Sequence, residues 1–437
     1  MTLRAMALVA LVCASTAAIP RHIPTWAFDE YRGEGATASA RFVRDTLNYA
    51  EGGRGNDKAL SDCAGGACTA VFYFDPHLIY ASDACPFPAY TAFLARAPEA
   101  WYVHEPGFDD AAHRVRGTYE RGCRGSSVAA RVYVADVANH DVADFFADDL
   151  AREARGWGAV ELDDTKDTVI AQMYGPGGGF CRDALLSSLC PRTNEFSDDA
   201  ALVRAQQRFA RVLATPDGSP KAFFYNGLTF GTGSRDLPLL RGNAPFVGAI
   251  CENCIVNDGR LRPDMYARVL EAMARVHAIP SAAFVELNTG RSPPGSDAQI
   301  VQRLVTTAVA WLGFEPGRTI VWPNLESDTR NLAVWPEDAL YPTSPLESWP
   351  ELEVAPGVWR REFARCYEAG IAIGPCAALL NANPRAVTVE RGWLRERYAA
   401  RVRLLGGDIG SGGTIVRAAF GASPWLVPPS GALLIAR

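Results

Sequence analysis

A chain of 437 residues that is 48% hydrophobic and 21% charged can bury a sizeable core and has room for more than one domain. Its formal net charge of -6 gives no reason to expect nucleic acid or an anionic membrane as a partner. Beyond the N-terminal segment no stretch is long and apolar enough for a transmembrane helix, so no stable membrane insertion is expected.

Met1 to Ala18 has the layout of a secretory signal. Arg4 makes the leader positive, Ala5 to Ala14 is apolar, and Thr16-Ala17-Ala18 supplies small residues for cleavage. The expectation is removal of residues 1–18 and secretion into an oxidising compartment. Of eleven cysteines, Cys13 lies in that segment, which leaves an even number for disulfides. Local spacing suggests Cys63 with Cys68, Cys181 with Cys190, Cys251 with Cys254 and Cys366 with Cys376, leaving Cys85 and Cys123. Cys251-Glu252-Asn253-Cys254 also has the spacing of a zinc or redox site. Zinc needs a second ligand pair, and neither His-x3-His nor another Cys-x2-Cys occurs. A disulfide is the preferred reading there, and no metal or other cofactor is expected.

Pro24 to Asp29 is the first candidate strand, followed by a helical stretch near Ser39 to Ala50. Ala70 to Asp75 is a clear apolar strand closed by Pro76. A helical patch near Tyr90 to Arg96 precedes Ala100 to Pro106, read as a third strand, and Arg131 to Asp136 is an extra strand or a lead-in to the next helix. From Asp141 to Arg155, Val142, Phe146 and Leu150 fall on one helical face, with Asp141 as N-cap and Gly156 as the glycine past the end. Gly156 to Thr165 then reads as a short buried fourth strand, entered through glycines and left through Asp163 and Asp164.

The second half alternates more plainly. A helix over Asp198 to Ala214 leads to a fifth strand, Lys221 to Gly227, and Pro245 to Glu252 is a sixth. Asp264 opens a helix with Met265, Val269, Met273 and Val276 on one face, ended by Ile279-Pro280. Ala282 to Asn288 is a seventh strand. Ser296 and Gln299 form a capping-box pattern for a helix through Leu312, and Arg318 to Asn324 is the eighth strand. Eight strands interleaved with helices predict a (β/α)8 barrel over 19–345. A doubly wound sheet would carry a glycine-rich phosphate turn after its first strand, and none is present. Leu325 to Pro356 shifts to Pro, Glu, Ser and Trp, and short β segments follow, so 346–437 is expected to form a small all-β, sandwich-like domain.

If the barrel is right, Asp29, Asp75, Glu105, Asp163, Asp164, Glu252 and Glu286 stand at strand ends, where such barrels keep their chemistry. Carboxylates and amides around one mouth suit a sugar, which offers many hydroxyls and no charge. Glycoside hydrolysis needs two carboxyl groups, and Asp163 after strand four with Glu252 after strand six form the candidate pair. The candidates for sugar contact are Asp75, Asp164, Asn226 and Glu286 through hydrogen bonds, Trp101 and Trp322 through stacking, and His104, which suggests no mechanism alone. Bland alternatives stand beside these: Asp75 before Pro76 suits a turn, Asp164 an N-cap, and the aromatics a core. Serine-hydrolase, zinc-protease and nucleotide-binding motifs are absent.

Asp136-Val137-Ala138-Asn139-His140 followed by Gly156 to Asp164 resembles a segment of the TIM-barrel proteins described as hypothetical glycosyl hydrolase family 15, and Trp101-Tyr102-Val103-His104 is similar to another. Gly357 to Phe363 with Gly370 to Ile373, and the ending Val427 to Ile435, resemble that family's C-terminal β domain. The resemblance implies a barrel with a C-terminal β-sandwich acting on carbohydrate. By the wider α-galactosidase-like barrels it also implies Asp163 as nucleophile and Glu252 as acid/base. Gly158-Ala159 departs from the family's Asp-Gly, and Glu252 is bracketed by cysteines. The expectation is a secreted glycoside hydrolase-like protein; the alternative is a carbohydrate-binding or surface protein on a barrel that does not cut.

Overall fold

The computed structural model describes residues 24–27, 47–53, 58–66, 68–81, 88–104, 107–123, 126–163, 165, 199–213, 222–228, 237–242, 245–257, 259–288, 296–321, 339–395, 398, 400–405, 414–419 and 425–436. The chain divides into two compact units: Met1–Gly52, Lys58–Ala70 and Ile250–Arg437 form one, and Gly53–Asp57 with Val71–Ala249 the other.

Between Lys58 and Val321 the described helices are interleaved with strands. In chain order the barrel strands are β1 (Trp26–Ala27), β2 (Tyr49–Gly52), β3 (Thr69–Phe74), β7 (Ala159–Leu162), β8 (Ala222–Asn226), β9 (Phe246–Glu252), β12 (Ala283–Leu287) and β13 (Thr319–Val321), hydrogen-bonded in that same order. Register is parallel for β1 on β2, β3 on β7, β7 on β8 and β12 on β13. Thr25 also bridges Val321 in parallel, with the Val321 amide donating to the Pro24 carbonyl at 2.9 Å, so the first and last strands meet. That is the order of a (β/α)8 barrel.

Among the described residues the helices are α1 (Lys58–Cys63), α2 (Pro88–Arg96), α3 (His140–Glu153), α4 (Asp199–Leu213), α5 (Pro238–Arg241), α6 (Tyr266–His277) and α7 (Asp297–Leu312). On α3, Val142, Phe146 and Leu150 are buried as their spacing requires, and Gly156 follows at φ 85°, a conformation glycine adopts without strain. The N-cap differs from the one read in the sequence. Asn139, not Asp141, fills it, its side chain accepting from the Asp141 amide at 2.9 Å. Ser296 caps α7 by accepting from the Gln299 amide.

Two strands differ from those read in the sequence. The second barrel strand is β2, whose first two residues fall at the end of the stretch read as helical; its four residues are all buried, so it shows no alternation to detect. Ala100 to Pro106 is not a barrel strand. Glu99–Trp101 is a 3-10 turn, and Tyr102 and His104 make single antiparallel bridges to Ala135 and Arg114. They flank a three-stranded antiparallel sheet of β4 (Leu78–Ala81), β6 (Ser126–Val134) and β5 (Arg116–Cys123). The omission and the surplus cancel, so Asp163 still follows the fourth strand and Glu252 ends the sixth.

A short ribbon of β10 (Val256–Asn257) and β11 (Arg260–Leu261) follows β9. From Leu340 onward the chain builds an antiparallel sheet in the order β14 (Leu340–Pro345), β16 (Val358–Glu368), β17 (Ile371–Asn381), β22 (Ala432–Ala436), β19 (Ala400–Leu405) and β20 (Thr414–Ala419), with β15 (Glu353–Ala355) on β16. A ribbon of β18 (Val387–Thr388) and β21 (Leu426–Val427) covers a core that includes Val358, Leu379, Trp393 and Ile435. In this antiparallel region the fully buried Glu362 accepts from Arg360 at 2.7 Å, Tyr398 at 2.9 Å and the Arg395 amide at 2.9 Å, so its charge is compensated.

Cys63–Cys68, Cys251–Cys254 and Cys366–Cys376 are paired, with Cα separations of 5.0, 5.8 and 5.9 Å. The expected Cys181–Cys190 pair and Cys85 lie outside the described residues. Among the described residues no helix is long and apolar enough to cross a membrane.

Candidate active site

Phe74 of β3 packs edge-on against Phe146 of α3 at 5.2 Å, so that face of the strand is turned to the helix layer. Tyr73 therefore faces the other way, into the barrel, in register with Glu161 of β7 and, through it, Phe224 of β8. One step further along, Asp163 and Asn226 share the same face. The Tyr73 hydroxyl donates to Asp163 Oδ2 at 2.5 Å, and Asn226 Nδ2 donates to Asp163 Oδ1 at 2.9 Å. Three adjacent parallel strands thus contribute one group each near their C-terminal ends. The Asp163 amide is anchored on the Phe74 carbonyl at 2.9 Å, and Thr165 Oγ1 donates to the Asp163 carbonyl at 3.3 Å.

The chemistry of this trio follows from its donors. Burial first, then the Asp163 and Asp75 charges, pushes the Tyr73 phenol well above its ordinary value. Tyr73 consequently stays a proton donor over any working pH. A carboxyl group that accepts at both oxygens is suited to the ionised form. Asp163 is only half-buried, so it can also be reached by a substrate. The arrangement fits a fixed carboxylate nucleophile or base and does not fit a proton-donating acid.

Of the other expected contacts in this unit, Asp75 is buried in a turn. Its Oδ1 accepts from the amides of His77 at 3.0 Å and Leu78 at 2.9 Å. Trp101 packs with Phe93 and Phe145, each at 5.5 Å. His104 is buried, with Nε2 2.9 Å from Glu99 Oε1. Arg114 holds the same Glu99 from Nε at 2.6 Å and lies 3.8 Å over the Tyr102 ring. Hydrogen bonding to Arg114, opposed in part by burial and aided by His104, keeps the Glu99 carboxyl below its usual range. Trp101 and His104 thus belong to an aromatic and ionic cluster beside β4, β6 and β5.

In the other unit Glu252 is exposed at the end of β9, between two disulfide-bonded cysteines, and Asn253 Nδ2 donates to its Oε1 at 3.3 Å. Glu286 is buried on β12 and accepts from Asn288 Nδ2 at 2.7 Å. Asn288 Oδ1 in turn accepts from the amides of Ile255 and Val256 at 3.0 and 2.9 Å, fixing the segment that follows Glu252. Glu286 therefore orients Asn288. Asp164 and Trp322 lie outside the described residues.

Asp163 and Asn226 are legible in the sequence as strand-end polar groups, and Tyr73 is not. A tyrosine in Phe72-Tyr73-Phe74 reads as core, and only the register of β3 on β7 brings it to Asp163.

No family model and no curated protein matches the chain, so the family resemblance of its short motifs finds no support from either. Similar solved structures include a GH30 endoxylanase from Clostridium papyrosolvens C71, at 8% identity and TM-score 0.42, covering 96% of this chain and 97% of that one. A debranching enzyme from Nostoc punctiforme is similar at 8% identity and TM-score 0.39, covering 95% and 98%. A GH36 α-galactosidase from Geobacillus stearothermophilus, in complex with raffinose, is similar at 12% identity and TM-score 0.34; the match spans 95% of this chain and 56% of that one. The fold described above rests on the strand order and not on these likenesses.

Proposed function

We propose that the chain is a secreted glycoside hydrolase-like enzyme acting on the O-glycosidic bonds of a poly- or oligosaccharide. Asp163 is its nucleophile or, in an inverting reaction, the base that activates water. The observation that supports this reading most is the Tyr73–Asp163–Asn226 trio at the C-terminal ends of β3, β7 and β8. Attack at an anomeric carbon needs a charged carboxylate held still, and two donors from separate strands supply both conditions. Glu252, at the end of the sixth strand, is the acid in this reading, and Asp164, Glu286 and Trp322 are kept as sugar contacts or their supports. The paired cysteines suit the oxidising compartment that secretion implies.

One observation favours a second reading. A general acid is commonly enclosed by apolar groups, whereas Glu252 is exposed at the end of β9 and accepts from Asn253. A sugar-binding protein that does not cut would use Asp163 and Asn226 as hydroxyl partners and have no need of Glu252.

The test is a hydrolysis and binding screen of the oxidised protein against polysaccharides and aryl glycosides, with Asp163→Asn, Glu252→Gln and Tyr73→Phe alongside. Sugar release that disappears in Asp163→Asn, with kcat lowered in Tyr73→Phe, supports the enzyme. Loss in Glu252→Gln assigns the acid. Saturable binding without release from any substrate moves the assignment to the binding protein, and activity surviving in Asp163→Asn removes the trio from the mechanism.

A further inference from the structure

A cavity of about 190 Å3 lies where the C-terminal ends of α6 and α7 meet the segment from Ser348 to Leu352 and Arg361 of β16. Arg318, which precedes β13, packs against the end of α6, so this is the end at which the barrel strands begin, opposite to the one that carries Asn288. The cavity is independent of the proposed glycosidase chemistry. An engineered apolar cavity of roughly 150 Å3 admits benzene, so the volume here accommodates one six-membered ring.

The polar side of the cavity is built around one arginine. The Arg361 side chain is 5% exposed. Its Nη1 donates to the carbonyls of Leu312 and Phe314 at 2.9 Å each, and its Nε to the Glu347 carbonyl at 3.1 Å. These bonds lock the guanidinium in place. Among the described contacts Nη2 meets only Glu315 Oε1, at 4.0 Å, which is longer than a hydrogen bond. Nη2 is thereby left without a hydrogen bond among the described contacts, on a fixed side chain that lines the cavity. Arg318 lies 3.7 Å from the same Glu315, and Glu347, whose charge also reaches Arg361, is held by Arg360 at 3.1 Å and Arg395 at 3.4 Å, with Glu362 2.7 Å from Arg360; four guanidinium groups thus share three carboxylates and the local charge is positive by one. His277, also in the wall, is kept neutral by burial and by Arg318 and Arg361 and adds nothing to that charge. Leu270, Trp349 and Leu352 line the apolar side.

We propose that this cavity binds a small ring-bearing carboxylate, with the carboxylate on Arg361 Nη2 and the ring against Trp349 and Leu352. A single negative charge balances the site, and a neutral ring of the same shape would leave Nη2 without its charged acceptor.

Calorimetric titration of the full oxidised chain with benzoate, at constant ionic strength, tests this. The expected result is one saturable site, weakened at least about tenfold in Arg361→Met, the scale of one lost charge-assisted hydrogen bond. Binding should vanish in Ala274→Trp, which fills the cavity from α6 without touching the guanidinium contacts and decides the matter should Arg361→Met fail to fold. The neutral isostere benzamide should not bind. No saturation with benzoate, benzamide binding as tightly, or an unchanged affinity in Ala274→Trp would each overturn the proposal.

Discussion

His277 closes α6 with Nε2 3.3 Å from the Arg318 carbonyl, while Arg318 Nη1 donates to the His277 carbonyl at 2.8 Å. Burial, and after it the Arg318 charge, pushes the imidazole down from 6.5 to about 3. Between those two values the unfolded chain takes up a proton that the folded chain refuses. The contribution to stability is therefore complete above pH 6.5 and is lost as the pH falls toward 3. A pH of 4.5 lies two units below the unfolded value, so the contribution lost there is about 2.7 kcal/mol at 1.36 kcal/mol per unit. Because the residue is partly exposed, solvent screening reduces this to about 1–2 kcal/mol. His277→Gln removes the proton site and keeps a donor for the Arg318 carbonyl. Urea unfolding of the oxidised protein at pH 7.5 and 4.5 should show the variant losing less stability than the wild type by that amount, with m unchanged. Parallel losses in the two proteins would refute the claim that His277 is held neutral.

Arg361→Met leaves the Leu312 and Phe314 carbonyls at the end of α7 without their donor, and should cost about 3–5 kcal/mol in the same urea assay. Asn288→Ala strips the acceptor from two buried amides and should cost about 2–3 kcal/mol, with faster hydrogen exchange at Ile255 and Val256. Phe93 is fully buried among Trp101, Tyr102, Phe145 and Phe146, so Phe93→Ala should destabilise by about 3–5 kcal/mol, read as a lowered Tm.

Asp163, Gly156 and the face of α3 were legible because their signals lie within a few residues of one another. A glycine at positive φ, a 3.6-residue apolar period and acids closing an apolar run are local patterns. The same holds for the capped start of α7 and for the three cysteine pairs, which close short loops. Strand β2 gave no such signal, since four consecutive buried residues carry neither period. Tyr102 and Val103 misled for the opposite reason: they are apolar and buried, but against α2 and the small antiparallel sheet rather than in the barrel.

The sequence by itself determined the alternating architecture, the C-terminal β region and the placing of acids and amides at strand ends. Only the tertiary structure decided which of those groups meet. Tyr73 and Asn226 reach Asp163 across 90 and 63 residues of chain, Asn288 reaches the Ile255 amide across 33, and Arg361 reaches the end of α7 across 49. Such contacts depend on strand register and packing. A shift of one residue in β3 would turn Tyr73 to the helices and Phe74 to the barrel, and no local pattern of residues records which of the two the fold adopts.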